Sequence, residues 1–316
     1  VSSLVTLLSM LAAVGACGGV STTESTGSGP STTTPPAPPT TVPPTTTTRA
    51  LPATTIAAPE PIPIEPPEGF ELVWNDEFDG DTIDPTNWTY DIGGWGWGNG
   101  EAQYYTDRPE NARVENGLLV IEARQEKFED SYYTSARLLT QGRQAFQYGR
   151  IEARIKVPGG GGTWSAFWML GDSFGRDTAD PTKSNWPGAG EIDIMEYVGR
   201  EPDLVIGTIH GPGYAGAGGL TRWSRQDFDI SQDFHIFAIE WDPDGIRWFF
   251  DDQLYSELGR DAVGDREWVF DQPFFIIMNV AIGGTLGGTI SLDTEFPLYM
   301  YVDHVRVYQR VDTAGL

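Results

Sequence analysis

Glu191, Asp193 and Glu196 fall within the six residues Glu-Ile-Asp-Ile-Met-Glu. In a β-strand side chains alternate between two faces, so Glu191 and Asp193 share one face while Ile192 and Ile194 share the other. Unbroken alternation would put Met195 among the acids and turn Glu196 away. One extra residue, a β-bulge, returns Glu196 to the acidic face. Three carboxylates crowded on one strand repel one another, and an ordinary scaffold would avoid them. Glycoside hydrolysis uses such a group: one carboxylate as nucleophile and a second as proton donor, roughly 5–5.5 Å apart where anomeric configuration is retained. A calcium site or a merely acidic surface strand is the alternative use of the same residues.

Strands must position these acids, and strands are what the surrounding sequence predicts. Short apolar runs separated by Gly, Asp, Asn and Pro extend from about residue 68 to 310. Segments 117–124, 148–157, 234–241, 246–251, 274–280 and 300–308 read as strands, several with strict alternation, such as Ile246, Trp248 and Phe250 against Arg247, Phe249 and Asp251. No long stretch has a 3.6-residue period, and no repeat is evident. The expected fold class is all-β, two antiparallel sheets packed as a β-sandwich, preceded by a disordered N-terminal tail.

The chain has 316 residues and a formal net charge of −25. Residues 1–67 contribute only −2 of this, from Glu24, Glu60, Glu65 and Arg49, so the charge belongs to residues 68–316. Such a domain repels phosphate backbones, which argues against nucleic acid as a partner. It does not repel a neutral polysaccharide. The 11 Trp residues suit stacking on sugar faces, although a large β-sandwich core would also absorb many of them.

With one cysteine there is neither an intrachain disulfide nor a cysteine-based zinc site. Residues 4–16 are a short apolar run ending in small residues, too short to span a membrane and suited to a signal peptide. Val14-Gly15-Ala16-Cys17 resembles a bacterial lipoprotein cleavage box, which implies a lipid on Cys17 and a protein on the cell surface. An ordinary secretory signal with an incidental cysteine is the alternative, and the run has no Lys or Arg before it. Residues 18–67 are Thr/Pro/Ser/Ala-rich, predicting an extended linker with no packed core. The expected organisation is therefore 1–17 signal, 18–67 linker and 68–316 catalytic domain, acting as a monomer.

Beyond the acidic strand, several segments occur in a characteristic order. They are Trp74-Asn-Asp-Glu-Phe78, Asn87-Trp88, Gln103-Tyr-Tyr-Thr106, Gly149-Arg-Ile-Glu-Ala-Arg-Ile-Lys-Val-Pro158, Trp164-Ser-Ala-Phe-Trp-Met-Leu170, Thr208-Ile-His210 and Tyr301-Val-Asp-His-Val-Arg-Val-Tyr308. Together they resemble glycoside hydrolase family 16, specifically its bacterial laminarinase-like (endo-β-1,3-glucanase) members, over roughly residues 68–310. The resemblance implies a concanavalin A-like jelly roll with the sugar lying across a concave sheet. It implies a retaining mechanism with Glu191 as nucleophile, Glu196 as acid/base and Asp193 tuning both. The spacing with Met195 resembles laminarinases and agar- or carrageenan-active members rather than lichenases. The acidic charge favours neutral β-glucan over sulfated galactan.

Trp164, Trp168 and Trp186 are candidates for stacking on sugars, with a buried structural role as the plain alternative for each. The resemblance places Asn99, Arg137 and His210 as polar contacts to sugar hydroxyls or to the carboxylates, and leaves His235 and His304 structural. Trp95-Gly-Trp97 is a candidate for one end of the cleft. No cofactor is expected for catalysis. The resemblance implies a structural calcium held by Glu77, the Gly117 carbonyl and Asp303. Gly283-Gly-Thr-Leu-Gly-Gly288 departs from the family pattern, which has Trp-Pro after the paired glycines. Rival functions are a galactan-active enzyme, a transglycosylase, and a non-catalytic glucan-recognition protein on the same scaffold.

Overall fold

The computed structural model describes residues 56–57, 59–175 and 185–311. The signal-like segment, Cys17 and the linker up to residue 55 lie outside the described residues. The strands in chain order are β1 Phe70–Asp76, β2 Thr89–Tyr90, β3 Gln103–Tyr105, β4 Ala112–Glu115, β5 Leu118–Phe128, β6 Ser131–Ser135, β7 Arg137–Leu139, β8 Gly149–Lys156 and β9 Thr163–Gly171. They continue with β10 Glu191–Val198, β11 Leu204–His210, β12 Leu220–Arg225, β13 His235–Asp242, β14 Gly245–Phe250, β15 Gln253–Gly259, β16 Phe274–Ile282 and β17 Leu298–Arg310. Among the described residues the one α-helical turn is α1, Gly284–Gly287.

These strands form two sheets. A seven-stranded sheet runs β12-β11-β10-β9-β16-β7-β2, and a ten-stranded sheet runs β15-β14-β13-β8-β17-β5-β6-β3, with β1 on β17 and β4 on β5. The pairings are antiparallel except that of β3 with β6, which run parallel. The alternation expected of 246–251 is observed: Ile246, Trp248 and Phe250 are buried while Arg247 and Phe249 are half-buried on the opposite side. Each predicted strand is found with its ends moved by up to four residues: 148–157 is shortened by one residue at each end, and 300–308 is lengthened by two at each end. Asn116 and Gly117, both at positive φ, join β4 to β5 with Glu115 opposite Leu118. A two-residue hairpin of that handedness demands left-handed residues, which Asn and Gly adopt at low cost.

The two inner faces meet in one core that includes Ile151, Ala153 and Ile155 from β8, Ile192, Ile194 and Met195 from β10, and Met278 and Val280 from β16. Each such side chain contributes roughly 1.5–3 kcal/mol by leaving water. Ile56, Ile62 and Pro63, assigned from composition to the linker, already touch this domain. Ile56 packs beside Leu118, Val120 and Tyr301, and Arg306 donates to the Ile62 carbonyl at 2.7 Å. Their contacts use backbone carbonyls and one apolar side chain, a signal that a Pro-rich composition conceals.

Candidate active site

β10 is central in the seven-stranded sheet, between β9 and β11. Its register on β9 slips between Asp193, opposite Trp168, and Met195, opposite Phe167, so Ile194 is the inserted residue. On β11 the slip lies between Asp193, opposite Thr208, and Glu196, opposite Ile206. Ile194 and Met195 therefore both enter the core, and Glu191, Asp193 and Glu196 emerge together on the outer face. The bulge leaves backbone groups without a ladder partner. One is met from across the sandwich: the Trp248 indole of β14 donates to the Asp193 carbonyl at 2.9 Å. Gly207 lies opposite the bulge, and a Cβ there would meet Trp248 Nε1 at 2.4 Å.

The three acids are held by dissimilar partners. Trp186 Nε1 donates to Glu191 Oε2 at 2.8 Å. Trp164 Nε1 donates to Glu196 Oε1 at 3.1 Å, and the Thr208 hydroxyl to Glu196 Oε2 at 3.5 Å. His210 Nε2 lies 3.5 Å from Glu191 Oε1 and 3.3 Å from Asp193 Oδ2, bridging the two. Burial pushes all three acids up, to about 8. For Glu191 and Glu196 the Asp193 charge pushes in the same direction, while His210 and the indole donors oppose it. Buried acids this close titrate as a set, so at neutral pH the cluster retains protons that isolated carboxylates would have lost. One acid can then carry a proton while its neighbour is an anion, which is the division of labour glycoside cleavage requires.

The other expected site residues fall into two groups. Trp186, Trp164 and His210 touch the acids directly, and Trp186 is also 40% exposed, leaving ring surface open to a ligand. Trp168 and Arg137 lie one layer away. Trp168 Nε1 donates to Asn279 at 2.8 Å. The Arg137 guanidinium sits 4.6 Å above the Trp168 ring and 5.0 Å from the Trp97 ring, with Nε 3.0 Å from Asp91. Asn99 reaches none of the acids; its amide donates to Glu101 at 3.1 Å. His235 and His304 contact Asp251 and Asp303, away from the cluster.

Sequence reasoning missed the network beneath the site. Asn279 donates to the Tyr105 hydroxyl at 3.1 Å, and Tyr105 donates to Glu101 at 3.1 Å, with Gln103 also donating to Glu101 at 2.6 Å. This network orients Trp168 from below and ties it to Asn99 on the neighbouring loop. Asn279 was detectable as the one polar residue in the apolar run Phe274–Ile282. Trp248 offered no such signal, because its role depends on a bulge in another sheet.

Metal binding can be tested on two sets. Glu191, Asp193 and His210 present ligand atoms all within 4.8 Å of one another. A cation there would neutralise the nucleophile that the cluster otherwise provides. The set Glu77, Gly117 and Asp303 fits calcium poorly. Arg306 donates to both Glu77 oxygens, at 2.9 and 2.8 Å, and Arg154 and His304 both lie 3.1 Å from Asp303 Oδ2. Guanidinium groups already supply the positive charge there, and a calcium ion would have to displace them.

Comparison with known proteins adds three findings. The family model Glycosyl hydrolases family 16 matches residues 99–303. A beta-glucanase of Rhodothermus marinus is 50% identical over 252 residues, which cover 77% of this chain and 86% of that protein. The laminarinase catalytic domain of Thermotoga maritima superposes with a TM-score of 0.73 at 47% identity, covering 78% of this chain and all of that one.

Proposed function

Because the chain belongs to glycoside hydrolase family 16, we propose that it is a retaining endo-β-1,3-glucanase, acting on laminarin-type β-1,3-glucan and on mixed β-1,3/1,4-glucan. The observation that carries this reading is the bulge at Ile194–Met195, which sets Glu191, Asp193 and Glu196 on one face of β10. Glu196, protonated, donates its proton to the glycosidic oxygen as that bond breaks. Glu191, as the anion, attacks the anomeric carbon and forms an ester to the sugar. Glu196, now ionised, takes a proton from water, whose oxygen attacks the same carbon and releases Glu191. His210, 3.5 Å from Glu191 and 3.3 Å from Asp193, fixes the positions of these two acids beside each other.

Mixed-linkage cleavage is included because SCLam, a non-specific endo-beta-1,3(4)-glucanase from this family, superposes with a TM-score of 0.69 at 38% identity. A sulfated galactan is disfavoured by the charge of −25. Reducing-end release from laminarin, lichenan, agarose and xyloglucan tests the assignment. Release from laminarin, with or without lichenan, supports it; release from agarose alone keeps the mechanism and overturns the substrate. The composition of residues 4–17 further supports export and lipid attachment at Cys17. A Cys17→Ser variant that still fractionates with membranes would sink that part.

A further inference from the structure

The row of the seven-stranded sheet that contains Glu196 extends to an exposed tryptophan with no assigned role. Glu196 lies opposite Ile206, and Ile206 lies opposite Trp223 on the edge strand β12. Cross-strand partners share a face, so Trp223 stands on the same face as the acids. It is two strand intervals from Glu196, about 10 Å at the usual ~4.8 Å spacing. The β11–β12 ladder has no register slip, and the contact of the Thr208 and Thr221 hydroxyls at 3.2 Å marks the same face one step along.

The surface between Glu196 and Trp223 has two characters. Ile206 forms an apolar floor, 9% exposed. Thr208 and Thr221 line one side with hydroxyls, the first of them touching Glu196. Trp223 itself is 64% exposed. A pyranose has the matching pattern, with apolar ring faces and hydroxyls around its edge, and its length is close to one strand interval. In the opposite direction the row passes Ala166 on β9 and Asn279 on β16 to Arg137 on β7. There Trp97 packs on Arg137, and the ring of Trp95, 68% exposed, lies 4.0 Å from that of Trp97 at a tilt of 38°. Exposed indole therefore lies near both ends of the row, on edge strand β12 at one end and in the Trp95–Trp97 loop beside Arg137 at the other.

We infer that Trp223 is the stacking platform of an outer sugar subsite on the β12 side, used by long glucan chains and out of reach of short ones. The inference rests on the glucanase reading above and adds a chain-length preference to it. Trp223→Ala should lower the ratio of kcat/KM for laminarihexaose to kcat/KM for laminaritriose about fivefold, the size expected of one aromatic stacking contact. Trp223→Phe should restore most of that ratio. A ratio equal to that of the unsubstituted protein overturns the subsite. An equal loss on both substrates with a lowered Tm also overturns it and makes Trp223 a structural residue. Failure of the unsubstituted chain to cut either oligosaccharide sinks the glucanase reading itself, and the subsite with it.

Discussion

On the ten-stranded sheet, outward-facing acids meet arginine: Glu152 meets Arg150 at 2.7 Å, Glu122 meets Arg113 at 2.8 Å, and Glu77 meets Arg306 at 2.8 Å. On the seven-stranded sheet, Glu191, Asp193 and Glu196 are held by two indoles, a hydroxyl and an imidazole. Burial pushes carboxylates up on both faces. At Glu77 the hydrogen bonds from Arg306 and Asn75 outweigh it and hold the carboxyl below its usual range. At Asp303, His304 and Arg154 do the same. At the acidic strand nothing of comparable strength opposes burial, and the acids rise to about 8. One fold thus uses the same residue type for stability on one face and for chemistry on the other. The difference lies in whether a guanidinium has been placed within reach.

The largest effects should come from removing the reacting groups. Glu191→Gln and Glu196→Gln should each lower kcat by about 10²–10⁴-fold; near-normal hydrolysis by either variant would reject its assigned role. Deleting Met195 leaves Glu-Ile-Asp-Ile-Glu, whose unbroken alternation still puts all three acids on one face but removes the bulge that sets their spacing; kcat on laminarin should fall, by less than in either Glu→Gln variant. Smaller effects are expected in stability. Glu77→Gln strands the Arg306 guanidinium, itself 3% exposed, and should cost about 2 kcal/mol, several degrees of Tm.

Trp248→Phe keeps an aromatic ring, smaller than the buried indole, and removes the donor to the Asp193 carbonyl. It should cost about 1–2 kcal/mol and reduce kcat more than it raises KM; an equal effect on both would show that the bulge holds without it. The smallest expected change has the opposite sign. Acids whose folded pKa is raised bind more protons in the folded than in the unfolded state between about pH 4 and 8, so stability falls as pH rises through that window. Asp193→Asn should therefore raise Tm at pH 8, by the equivalent of about 1 kcal/mol, and leave it little changed at pH 4. No gain at pH 8 would mean that the cluster carries no strain. Activity should also fall above about pH 8, as Glu196 loses the proton it must donate.

Much of the catalytic strand was legible because its signal is local. Alternation of apolar and acidic residues announces a strand, and the extra residue before Glu196 announces a bulge, both within one segment. The tryptophans were harder to sort. Trp164 and Trp186 look alike in sequence to Trp88 and Trp241, which are buried in the core. Only their placement beside Glu196 and Glu191 separates them. Asn99, which the resemblance places at the substrate, donates its amide to Glu101 two residues away, an acid whose burial could not be foreseen.

What the sequence determined alone is what periodicity and residue chemistry encode over a few neighbours: strands rather than helices, three acids on one face, and a surface too negative for polyanions. The tertiary structure decided what depends on residues far apart in the chain. Glu77 and Arg306 are separated by 229 positions, and Trp248 and Asp193 by 55. Whether a carboxylate meets a guanidinium, an indole or another carboxylate sets its affinity for a proton, and that choice is made only when the sheets close on one another.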